Sequence, residues 1–83
     1  APIEILGQAR RFGLPVAGHA RLTIFTAGGR LVRTLADAEF PAGYSELEWD
    51  GRDAAGVGQA SGIYFYRFES GDVVETRRLV MSK

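Results

Sequence analysis

The sequence predicts an all-β fold, a small antiparallel β-sandwich of six or seven strands. Three observations carry this reading. Short segments of alternating or apolar character recur at intervals of roughly 10 residues, each bounded by Gly, Pro, Ser or Asp. No apolar i, i+3, i+4, i+7 stripe exceeds two helical turns, and the nearest candidate, Arg33–Ala38, is cut off by Pro41. The length of 83 residues suffices for one domain and not for two, so residues 1–83 are read as a single sandwich.

Taken in order, Ile3–Leu6 reads as a short first strand, and Gln8–Leu14 as a second that Pro15 ends. Ala20–Thr26 places Leu22 and Ile24 on one face and Arg21 and Thr23 on the other. Phe25 breaks that polarity, which predicts a strand inside a sheet. Ala27–Arg30 is glycine-rich and predicts a tight hairpin, from which Arg30–Leu35 returns as the antiparallel partner. Ala36–Gly43 contains Pro41 and Gly43 and reads as a connection. Tyr44–Trp49 follows as a strand with Leu47 and Trp49 inward and Glu46 and Glu48 outward.

Asp50–Gly62 is the longest loop and holds four glycines. Ile63–Glu69 is the most apolar strand, with Tyr64, Tyr66 and Phe68 on one face. Ile63 and Phe65 on the other give way to Arg67 and Glu69, which predicts deep burial at the strand's start. Ser70-Gly71-Asp72 turns the chain into the last strand, Val73–Met81. Burial of large aromatics, each worth ~150–250 Å² of surface, must offset much of the backbone entropy lost on folding. Trp49, Tyr64 and Tyr66 are therefore placed in the core, with Phe68, Leu22, Ile24, Leu35, Leu47 and Val80. A chain this short buries only roughly 60–65% of its unfolded surface, so its stability is modest.

Composition excludes several functions. The hydrophobic fraction of 46% and charged fraction of 24% are those of an ordinary globule. Ten basic and ten acidic residues cancel, whereas a nucleic-acid binder carries a basic excess to neutralise phosphates. The pairs Arg10–Arg11 and Arg77–Arg78 do not make such a surface, because neighbours on a strand point to opposite faces. No apolar run approaches the ~20 residues of a membrane helix, and no membrane insertion is expected. The N-terminus does not have the pattern of a signal peptide. Cysteine is absent, which removes disulfides, thiolate chemistry and Cys-based metal sites.

His19 is the single histidine, so paired-His metal motifs are ruled out. Neither Ser45 nor Ser61 sits in a G-x-S-x-G elbow, and no catalytic residue is expected. Asp50, Asp53 and Gly56 invite a calcium reading, but Arg52 and Ala54 stand where oxygen ligands should alternate. The expected role of Asp50 is an Asx-turn, with Gly51 and Gly56 supplying turn geometry. Gly28-Gly29 and Gly56-Val57-Gly58 are followed by no helix and do not form a phosphate cradle. Tyr64 is expected to make a tyrosine corner, its hydroxyl bonded to nearby backbone. Neither metal nor cofactor is expected.

From Arg11 onward the chain resembles the bacterial FlgD-like immunoglobulin-like domain family. Its members include the flagellar hook-capping protein and the C-terminal sorting domains of type IX secretion cargo. The matching segments are Arg11-Phe12-Gly13-Leu14-Pro15, Arg21-Leu22-Thr23-Ile24-Phe25 and Gly29-Arg30-Leu31-Val32-Arg33-Thr34-Leu35. They continue with Pro41-Ala42-Gly43, Trp49-Asp50-Gly51-Arg52-Asp53 and Gly56, then Ala60-Ser61-Gly62-Ile63-Tyr64-Phe65-Tyr66-Arg67. The ending Thr76-Arg77-Arg78-Leu79-Val80-Met81-Ser82-Lys83 completes a likeness of about 73 residues. Two positions depart from the family pattern. Ala1–Gly7 lacks its Asn-Pro-Phe-Asn turn, and Thr26 stands where an aspartate is common.

The resemblance implies an immunoglobulin/fibronectin-III-like sandwich that is not an enzyme and forms the C-terminal module of a larger exported protein. It implies a secreted or cell-surface location, reached through a signal peptide upstream of this chain, and recognition by outer-membrane secretion machinery. The segment from Arg77 to Lys83 resembles the terminal sorting strand, which makes Arg77, Arg78, Leu79, Val80 and Lys83 the candidate recognition residues. Two other functions fit the same family: an assembly module like the hook cap's domain, and an accessory binding module of a secreted hydrolase. The partners expected are proteins, either that machinery or domains of the parent, and the isolated domain is expected to be monomeric.

Overall fold

A computed structural model describes residues 3–6 and 9–81, with side chains described over 11–81. Seven strands follow one another: β1 (Ile3–Leu6), β2 (Ala9–Leu14), β3 (Gly18–Thr26), β4 (Leu31–Phe40), β5 (Gly43–Glu48), β6 (Gly62–Ser70) and β7 (Val73–Met81). They form two antiparallel sheets, a three-stranded one in the order β1-β2-β5 and a four-stranded one in the order β4-β3-β6-β7.

The sheets meet over one apolar cluster. Phe12 and Leu14 of β2 face Ala20, Leu22 and Ile24 of β3, with Tyr64, Tyr66 and Phe68 of β6 and Leu79 and Met81 of β7. Alternation dictates this set, since each strand contributes every second residue to the inner face. Phe12 ties the layers together, its ring 5.2 Å from that of Phe68 and 5.0 Å, edge-on, from that of Phe40. Trp49, just past β5, is 1% exposed and packs edge-to-face on Tyr64 at 5.1 Å. Leu35, Phe40 and Leu47 are partly buried against the same cluster.

Three expectations need correction. Residues Ala36–Phe40, read as connection, continue β4, and only Pro41 and Ala42 separate it from β5. This stretch pairs with Gly18–Leu22 as an edge strand, with Asp37, Ala38 and Glu39 exposed, so no apolar alternation marked it. Two register shifts also disturb β4: Leu35 and Val32 have no partner opposite them in β3, and both turn toward the core.

Val80, placed in the core from sequence, is 65% exposed. The register sets Leu79 opposite Tyr64 and Val80 opposite Ile63, so Leu79 and Met81 take the inner positions. For the same reason Ile63 lies outward and is 46% exposed, and β6 is not buried on both faces at its start. Tyr44 is 71% exposed, on the outer face of β5.

Candidate functional site: the β7 edge and the loop behind it

The long loop serves the fold. Asp50 Oδ1 accepts the Arg52 amide at 3.0 Å, the Asx-turn expected of it, and the Arg33 guanidinium at 3.2 Å. Asp53 Oδ1 accepts the amides of Ala55 at 3.0 Å and Val57 at 2.9 Å. The carboxylates that invited a calcium reading are thus engaged with backbone donors. The loop's far end is held by Tyr64, whose hydroxyl donates to the Ala60 carbonyl at 2.6 Å, a tyrosine corner in geometry and place. Its middle reaches β4, where the Ala54 amide donates to the Val32 carbonyl at 3.3 Å. That contact occupies part of the outer edge of β4.

Gly51 joins this loop to β7. Its φ is +78°, a region that side-chain-bearing residues rarely adopt, and a Cβ there would stand 2.9 Å from Met81 Sδ. The buried end of β7 therefore rests directly on the loop backbone.

The opposite end of the four-stranded sheet carries charge. His19 Nε2 pairs with Asp37 Oδ1, and Arg21 Nη2 donates to Glu69 Oε1 at 2.8 Å. The hydrogen bond to Glu69 and its negative charge raise the Arg21 pKa above its ordinary value. Ser70 lies beside His19, but its hydroxyl donates to the His19 backbone carbonyl at 2.7 Å and not to the ring. A serine nucleophile gives its proton to an adjacent general base, whereas this hydroxyl is directed to a backbone carbonyl. The sequence reading did not anticipate this cluster, whose members lie far apart along the chain.

Strand β7 is different in kind. It pairs with β6 along its whole length, from Ser70 opposite Val73 to Gly62 opposite Met81. Gly71 and Asp72 make the two-residue turn between them, with φ of +56° at Gly71, as a type II′ hairpin requires at its first position. On its other side β7 has no neighbouring strand among the described residues, so it is an edge. Arg77 is exposed on the inner-face side and donates to Glu75 Oε1 at 2.7 Å. Arg78 is exposed on the outer face, opposite Phe65. Leu79 is 4% exposed, so its side chain serves the core while its backbone belongs to the edge. Val80 lies open beside Ile63, and Lys83 falls outside the described residues.

Two antiparallel sheets closed over one core, with a buried tryptophan and a tyrosine corner, define an immunoglobulin-like module, a fold type that is non-catalytic. Comparison with known families matches residues 11–72, about three quarters of the chain, to the FlgD Ig-like domain. The chain belongs to that family. The match ends at Asp72, so β7 lies beyond it. Among curated proteins, none matches the chain.

Proposed function

We propose that this domain is a C-terminal secretion and sorting module of an exported bacterial protein, read by outer-membrane secretion machinery through the edge of β7. One observation supports the reading above others: β7 is an edge strand that combines an apolar anchor with outward charge. Leu79 and Met81 fix it to the core, while Arg77 and Arg78 stand in solvent. An edge of this kind accepts an incoming strand through main-chain hydrogen bonds, with side chains adding selectivity. The arginines meanwhile discourage indiscriminate pairing with other chains.

Family membership favours a second reading, an assembly module that holds subunits together. An accessory ligand-binding role has less support, because Trp49, Tyr64 and Tyr66 are buried and Tyr44, the one fully open aromatic ring among the described residues, is stacked under Arg11 at 5.1 Å.

The readings separate in one experiment. The domain is fused behind a reporter carrying a signal peptide and expressed in a bacterium that has type IX secretion. A sorting module delivers the reporter to the surface or the medium, and the purified domain sediments as a monomer. Reporter left in the periplasm, with a purified domain that self-associates, would favour assembly instead.

A further inference from the structure

The outer face of the four-stranded sheet carries an apolar row. Leu31 of β4 pairs with Phe25 of β3, and Phe25 pairs with Phe65 of β6. Ile63, two residues before Phe65 on the same face, pairs with Val80 of β7. The row thus crosses every strand of the sheet and stops at the β7 edge. Phe25 and Phe65 are half-buried, whereas Leu31, Ile63 and Val80 are open to solvent. Next to Val80 along the edge, on the same face, stands Arg78. Four arginines have carboxylates: Arg21 and Arg67 reach Glu69, Arg33 reaches Asp50, and Arg77 reaches Glu75. Arg78, like Arg30 and Arg52, has no carboxylate partner among the described residues, and of these three it alone lies on β7.

We propose, building on the reading of β7 as a docking edge, that the strand it accepts carries an apolar residue and a carboxylate two positions apart on one face. A strand added beside β7 presents alternate side chains to the same outer face, in register with Arg78 and Val80. An apolar side chain opposite Val80 continues the row and removes its exposed end from water. A carboxylate opposite Arg78 supplies the charge that position lacks, whereas a lysine there meets a like charge. The spacing holds for either strand direction and only the order reverses. A protein strand suits this surface better than an anionic membrane does, since the row ends at an open strand edge and the chain's formal net charge is zero.

The test is an NMR titration of the isotopically labelled 83-residue protein with short threonine-rich peptides. Their centres are Val-Thr-Asp, Asp-Thr-Val, or the same with lysine for aspartate. The aspartate peptides should shift β7 amides and bind about two- to fivefold more tightly than the lysine peptides. Arg78→Glu should invert that ranking, and a thermal melt of the variant confirms that it folds. Equal response to all peptides in both proteins would overturn the partner chemistry and leave the edge reading standing. Silence of the β7 amides toward every peptide would overturn the edge reading too. Binding to vesicles of anionic phospholipid, with none to peptides, would replace the protein strand by a membrane surface.

Discussion

The indole Nε1 of Trp49 donates a hydrogen bond to the backbone carbonyl of Arg52 at 2.8 Å. The largest core side chain thereby satisfies its one polar atom with the loop that follows it, three residues on. A buried indole N–H without a partner would cost free energy, so the bond lets tryptophan occupy the centre of the sandwich. It also makes the loop's conformation part of the core's. Trp49→Ala removes both packing and bond and should destabilise by ~3–5 kcal/mol. That is a large share of the stability of a domain this small, and a thermal melt checks it. A variant melting within a degree or two of the parent would contradict the burial.

Trp49→Phe separates the two contributions. The ring stays in the cluster and the Arg52 carbonyl loses its donor, so the loss should be smaller than for alanine. The parallel change at the loop's other end, Tyr64→Phe, removes the hydroxyl that holds the Ala60 carbonyl. Since Ala60 is exposed, water can take over that acceptor, and about 1 kcal/mol is expected by denaturant unfolding.

Gly51→Ala tests the contact between loop and edge strand. Its positive φ should cost an alanine ~1–2 kcal/mol, and displacement of Met81 should add to that. Amide exchange should quicken most near the end of β7, where Met81 is seated. An unchanged melt and unchanged β7 protection would refute the coupling.

Calcium should leave the melting temperature unchanged. Asp50 and Asp53 already hold backbone amides, and Asp50 also holds Arg33, so an ion would have to break the turn it bound to. A ligand that binds the folded state raises its melting temperature by linkage. A rise of several degrees at millimolar calcium would show that the loop takes the ion after all.

Much of the sandwich was legible in the sequence because alternation is a local property. Leu22 with Ile24, and Tyr64 with Tyr66 and Phe68, announce their face within a few residues, and each lies inward. Trp49 and the Asp50 turn were likewise readable from their neighbours. The errors arose where a long-range register decides. Val80 and Leu79 are both apolar neighbours, and only the pairing of Leu79 with Tyr64 settles which one is buried. Ala36–Phe40 has a composition poor in strand formers and becomes a strand because Gly18–Leu22 lies beside it. At the candidate site, the hairpin that leads into β7 was legible from Ser70-Gly71-Asp72, and its edge position follows from the order of the folded sheet. The apolar row from Leu31 to Val80 was not legible, since its members come from four strands and meet only in the folded sheet.

The proposed recognition at the β7 edge is put to the test by the double variant Arg77→Glu/Arg78→Glu in the reporter fusion described above. Both side chains are exposed, and surface substitutions of this kind usually change stability by within ~0.5 kcal/mol. The measurement is the secreted fraction of the reporter, taken beside the thermal melt of the isolated variant domain. The account predicts a melt close to the unmodified domain's together with a clear fall in secretion. Normal secretion with a normal melt would contradict it and place recognition elsewhere on the molecule.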